Sequence, residues 1–104
     1  MAYTEKRLAS GQVAASLTTV YTVPGSTTAL LTLLWLYNTN STVETITMAL
    51  DDGTDRTLAV LDLESGDYAT IDLHGLALSA ADELKLDSTN ATQVNYVLCG
   101  VEKA

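Results

Sequence analysis

Apolar and polar residues alternate with a period of two along most of this chain, in short runs. In residues 45–50 the side chains of Ile46, Met48 and Leu50 share one face. In 68–73 Ala69, Ile71 and Leu73 do the same, and 83–87 alternates charged residues with Leu84 and Leu86. Residues 56–61 read as a strand with Leu58 and Val60 inward, and 93–101 as a longer one. Period two is the signature of a strand buried on one face. Residues 17–23 form an earlier run that stops at Pro24-Gly25, a turn dipeptide.

One segment breaks the alternation. Residues 28–37 (TALLTLLWLY) are apolar at nearly every position. They are predicted to form a central strand, apolar on both faces for part of its length; a buried helix is the weaker reading, because ten residues would have to stand without caps. Asn38-Thr39-Asn40-Ser41, Asp51-Asp52-Gly53, Glu64-Ser65-Gly66-Asp67 and Asp87-Ser88-Thr89-Asn90 punctuate the remaining runs. Ser79-Ala80-Ala81-Asp82 reads as one helical turn or a tight corner. Seven or eight strands at this spacing predict an all-β, single-domain antiparallel β-sandwich, jelly-roll-like or immunoglobulin-like, since periodicity does not encode strand order.

Length and charge narrow the picture. A chain of 104 residues buries roughly two thirds of its unfolded surface, enough for one core and not two. The organisation expected is an extended N-terminal arm, 1–11, and a β-sandwich domain, 12–104. The formal net charge is −8. Lys6 and Arg7 against Glu5 give the first seven residues a net of +1, and Arg56, Lys85 and Lys103 against twelve acids give the rest −9. Such a body lacks the basic footprint that duplex nucleic acid requires. A basic arm on an acidic body suggests that the arm lies on a neighbouring copy; a frayed terminus is the plain alternative. Residues 29–37, the longest apolar stretch, reach about half a membrane span, and no signal peptide is recognisable near the start. No membrane association is expected, and Cys99 is expected reduced.

Chemistry is sparse. One Cys and one His exclude an internal disulfide and a Cys/His zinc site within one chain. His74 two residues after Asp72 resembles an oriented base, but no nucleophile motif accompanies it, and a solvated strand-end histidine is the better reading. Asp51-Asp52-Gly53-Thr54-Asp55 resembles the start of a calcium loop, yet its twelfth position is Asp62 in place of the closing Glu, and an Asp-Gly hairpin accounts for it; a weak loop-bound cation stays open. Trp35, within so apolar a run, is read as core; if outward, it and Tyr37 would form a stacking platform. Cys99 is read as a small buried hydrophobe. The glycosylation sequons at Asn40-Ser41-Thr42 and Asn90-Ala91-Thr92 are read as chance. No catalytic residue, cofactor or metal is expected.

Residues 6–31 (KRLASGQVAASLTTVYTVPGSTTALL) carry Arg7-Leu8-Ala9, Gly11-Gln12, Ala14-Ala15-Ser16 and Tyr21-Thr22-Val23-Pro24-Gly25, followed by the Asn38-Thr39-Asn40 corner. Leu63-Glu64-Ser65-Gly66-Asp67, the run from Leu76 to Asp82, and the ending Gly100-Val101-Glu102 continue the pattern. This resembles small β-sandwich structural proteins encoded among the virion genes of tailed bacteriophages, of the capsid decoration or head–tail accessory type. The departure is in 29–37, which lacks the charged residues that such proteins often place there. The resemblance implies a non-enzymatic virion protein, assembled in the host cytoplasm. The leading expectation is a capsid decoration (cement) protein, a homotrimer, that binds the major capsid protein or another virion protein through its arm, with Tyr3, Lys6, Arg7 and Leu8 as partner-binding residues. A tail or fibre-anchor component is the nearest alternative. A carbohydrate-binding β-sandwich module, using Trp35, Tyr37 and Tyr68, is the alternative from another class.

Overall fold

Eight strands form where the alternating runs lie: β1 (Lys6–Gln12), β2 (Thr18–Thr22), β3 (Thr28–Asn38), β4 (Glu44–Asp51), β5 (Asp55–Leu63), β6 (Tyr68–Leu78), β7 (Glu83–Asp87) and β8 (Val94–Lys103). The structure is a computed structural model that describes residues 5–104. All strand pairings are antiparallel, in two four-stranded sheets. The front sheet has the order β1-β8-β3-β6 and the back sheet β2-β7-β4-β5.

These orders decide between the two expected topologies. The pairs β1/β8, β2/β7, β3/β6 and β4/β5 are those of one long hairpin folded at the β4–β5 turn, with successive pairs assigned to alternate sheets. The ladders β8/β3 and β7/β4 then close each sheet. This winding is a jelly roll.

The core lies between the sheets. Leu31, Leu34, Leu36, Ile46, Leu78, Leu84, Leu86 and Leu98 are fully buried there, with Tyr21 and Tyr96 beside them. Strand β3 is central in the front sheet, as expected. Its inward set is Ala29, Leu31, Leu34, Leu36 and Asn38, and the change from odd to even numbering between Leu31 and Leu34 marks a bulge at Thr32. Opposite Thr32, strand β6 inserts Leu73, His74 and Gly75, with His74 and Gly75 at φ 53° and 77°. Strand β6 therefore passes through His74 and continues to Leu78, so His74 is a bulge residue and not a strand end.

Several expectations are corrected. Leu58 and Val60 point outward, with Val60 60% exposed, because Ala59, Leu61 and Leu63 supply the inward face of edge strand β5 and Leu58 falls in a bulge opposite Met48 and Ala49. Trp35 lies outside the core, since the Thr32 bulge assigns Leu34 and Leu36 to the inside. Cys99 is half-buried and free, and it alternates outward between the buried Leu98 and Gly100. The expected arm divides: residues 1–4 lie outside the described residues, whereas Lys6–Gln12 is edge strand β1, hydrogen-bonded to β8. Of the two readings for residues 79–82 the tight corner holds, with Ala81 at φ 73° and the Asp82 N–H donating to the Ser79 carbonyl at 3.0 Å.

Gly100 is required by close approach. A Cβ there would stand 2.5 Å from the Leu30 carbonyl oxygen and 2.8 Å from Leu8 Cδ1, whereas a Cβ on Gly25 meets nothing within 4 Å. Gly100→Ala is expected to lower stability by about 1–3 kcal/mol through overpacking. Gly25→Ala is expected to stay within about 0.5 kcal/mol of the parent. Urea unfolding of both variants checks the pair.

Candidate functional site

The outer face of the front sheet is where exposed apolar surface collects. Ladder register aligns its outward residues in rows across the strands. Val101, Leu30 and Ala77 form one row. Arg7, Cys99, Leu33 and Asp72 form the next, one residue from each of the four strands. Ser10, Val97, Trp35 and Thr70 follow, and Gln12, Asn95, Tyr37 and Tyr68 complete the face. The two central strands thus present Val101, Cys99 and Val97 beside Leu30, Leu33 and Trp35. None of these six belongs to the core cluster or packs against it.

Aromatic rings mark one end of the face. Trp35 and Tyr68 stack with centroids 5.0 Å apart and planes 6° apart, and they remain 42% and 60% exposed. Tyr37 adjoins them in the Tyr68 row, also exposed. Offset ring stacking of this kind contributes about 0.5–1.5 kcal/mol beyond area burial. Charges stand at two edges and within the face. Arg7 is on edge strand β1 and Asp72 on edge strand β6; Lys103 is on β8 beside Thr28, and the Glu5 carboxylate accepts a hydrogen bond from the Thr32 hydroxyl on β3.

The back sheet contrasts with this. Apart from Leu58 and Val60 on its edge strand β5, it carries polar side chains that bond one another. Lys85 Nζ lies 3.1 Å from Asp51 and 2.9 Å from Asp55, Thr45 donates to Asp62 at 2.7 Å, and Thr19 donates to Glu83. The Gly53 N–H donates to the Asp51 carboxylate at 2.9 Å, and that bond, with Lys85, holds the carboxyl below its ordinary range. The Asp-Gly hairpin is therefore formed as expected, with Asp51 and Asp55 turned to Lys85.

The residues expected to bind a partner separate. Tyr3 lies outside the described residues. Lys6 pairs with Glu102 at 2.8 Å, and Leu8, a bulge residue, packs against the core. Arg7 stands exposed on the open face, and among the described residues it makes no ion pair. His74 and Asp72 approach to 3.4 Å with side chains 92% and 73% exposed, and the Asp72 carboxylate also accepts the His74 N–H at 2.9 Å. That geometry closes the bulge in open solvent.

Two polar clusters that the sequence did not single out hold the sandwich ends. Tyr21 donates its hydroxyl to Glu102, which also pairs with Lys6, so one carboxylate joins back strand β2 to front strands β8 and β1. The Lys6 and Tyr21 bonds hold the Glu102 carboxyl below its ordinary range, and burial, then Glu102, pushes the Tyr21 phenol up. At the other end Glu44 is fully buried. It accepts hydrogen bonds from the side chain of Asn40 at 2.8 Å, and from the side chain and backbone of Asn90 at 2.7 and 2.8 Å. Burial raises its pKa, but the three bonds together outweigh burial and leave it lowered. Asn40 and Asn90 are the two sequon asparagines, so both side chains have a structural partner.

No protein-family model matches the chain, and no curated protein matches its sequence. Among solved structures, a Bacillus endospore appendage protein, from a family of disulfide-linked pili, is 14% identical with a TM-score of 0.58, covering 98% of this chain and 88% of that one. The Tobacco streak virus coat protein is 13% identical with a TM-score of 0.55, covering 98% and 87%. These likenesses establish the fold: a jelly roll that serves assembled structures in a pilus and in a virus coat.

The lowered pKa values set the direction of acid sensitivity. A carboxyl with a lower pKa folded than unfolded contributes stability that is full above the unfolded value, near 4.5, and is lost as pH falls through the folded value. The melting temperature is therefore expected to fall on acidification below about pH 4.5. Glu44→Gln and Glu102→Gln are each expected to melt lower at neutral pH and to show a shallower acid decline. Thermal melts from pH 7 to pH 3 check this.

Proposed function

We propose that this chain is a non-enzymatic virion structural protein, a capsid decoration protein of the tailed-bacteriophage type. It binds copies of itself and the major capsid protein and stabilises the shell. The observation that carries this reading is the contiguous uncovered apolar face of the front sheet; the back sheet exposes Leu58 and Val60 on its edge strand β5 and otherwise carries bonded acids, threonines and a lysine. Contiguous apolar surface of that kind marks a site meant to be covered. The motifs from Arg7 to Asn40 point to the same class, and the fold is one that a virus coat protein shares. A tail or fibre-anchor position in the virion uses the same face in the same way.

A second reading has an observation of its own. Trp35, Tyr37 and Tyr68 gather at one end of the face, as a carbohydrate-binding module would require. Trp35 and Tyr68 turn a ring face to each other, however, which leaves less aromatic area for a sugar ring.

Mixed with shells assembled from the major capsid protein of its own genome, the purified chain is expected to co-sediment with them and to raise the temperature at which they come apart. Chain left in the supernatant at saturating concentration overturns the decoration reading. In parallel, Trp35 fluorescence is expected to stay constant on titration with a glycan panel; a saturable change favours the carbohydrate reading.

A further inference from the structure

We propose that the open face of the front sheet docks a second copy of this chain, face to face, about a two-fold axis that runs parallel to the strands between β8 and β3. The inference stands on this face alone and holds whether or not the final assembly is a virion. It makes the self-associating unit a pair in place of the expected trimer.

The argument is one of self-complementarity, which an isologous contact demands. An axis parallel to the strands preserves each row and reverses it, exchanging β8 with β3 and β1 with β6. In the row Arg7, Cys99, Leu33, Asp72 the reversal sets Arg7 against the partner's Asp72, and Cys99 against the partner's Leu33. In the next row Val97 meets the partner's Trp35. In these two rows apolar residues meet apolar residues, and the cation at one end of a row meets the anion at the other, twice per pair; in the row Gln12, Asn95, Tyr37, Tyr68 the two amides meet the partner's tyrosines. An unrelated partner gives no reason for opposite charges to stand at opposite ends of one row.

The other charges on this side are Glu5, whose carboxylate the Thr32 hydroxyl engages on central strand β3, Lys103 on β8, which the axis sets against the partner's Thr28, and His74, which adjoins Asp72 at the β6 bulge. Size fits as well. Four strands about 4.8 Å apart and about ten residues long span roughly 19 Å by 33 Å. With side-chain relief this approaches the ~800 Å² per partner of a standard interface. Two sheets facing each other in this way pack about 10 Å apart in an aligned sandwich.

Light scattering on the full chain is expected to give twice the chain mass. Arg7→Asp alone and Asp72→Arg alone are each expected to weaken the pair about tenfold or more, because each acts at two symmetry-related places. The double variant, with the charges exchanged, is expected to restore it. A short bis-maleimide is expected to join two Cys99 thiols, which flank the axis. Asp72 also braces the β6 bulge, so circular dichroism accompanies each variant; if Asp72→Arg unfolds, the Cys99 cross-link decides. A monomer or a trimer by mass, two weak single variants without rescue in a folded double, or no cross-link in the parent overturns the proposal.

Discussion

A two-layer sandwich has one interior, and strand β3 is apolar on two sides. The open face of the front sheet follows from that mismatch. The inward set from Ala29 to Leu36 joins Leu98, Ile46, Leu84 and Leu86 to make the core. The outward set of Leu30, Leu33, Trp35 and Tyr37 then has no layer to pack against, and β8 adds Val97, Cys99 and Val101 beside it. The bulge at Thr32 fixes which residues belong to which set, because a slip of one position moves a strand's whole complement to the opposite face. Without it Leu34 would face solvent and Trp35 would be inside.

Charged groups help to hold both sandwich ends. Glu102 joins the two sheets through Tyr21 and Lys6, and Glu44 draws the loops after β3 and β7 together through Asn40 and Asn90. Asn38 works beside it, donating to the carbonyls of Thr42 and Leu63 at 2.9 Å. Among the described residues Glu44 has three hydrogen-bond donors and no ion pair, so loss of a donor leaves a buried charge less well satisfied, which is costly.

Much of this was legible in the sequence. The short runs located six of the strands, with β6 five residues short at its end, and the unbroken apolar run located β3 and identified it as central. What escaped was of two kinds. Trp35 falls on the other face because the Thr32 bulge resets parity, and a bulge leaves no mark in a pattern of period two; Leu58 and Val60 fall outward because the alternate set Ala59, Leu61 and Leu63 is also apolar and takes the core. Strand order, the β1 pairing and the Glu44 cluster join residues far apart in the chain, and local propensity carries no information about them. Lys6–Gln12 looked like an arm because an edge strand hydrogen-bonded on one side only can be polar on both faces. The open face was visible only in part: the run from Leu30 to Tyr37 announced excess apolar surface, but the row that unites Arg7, Cys99, Leu33 and Asp72 exists only once four separate strands are in register.

The position of β8 has a kinetic meaning. It is the last of the eight strands along the chain, yet it lies in the middle of the front sheet, between β1 and β3. Until it arrives, β1 has no neighbour, β3 lacks one ladder, and the inner leucines of β3 lack Leu98. Loop closure across nearly the whole chain must precede that step, which makes folding slow beside that of proteins with local contacts. Strand β8 also supplies half of the central apolar rows. A nascent chain therefore cannot display the finished open face before β8 is in place between β1 and β3.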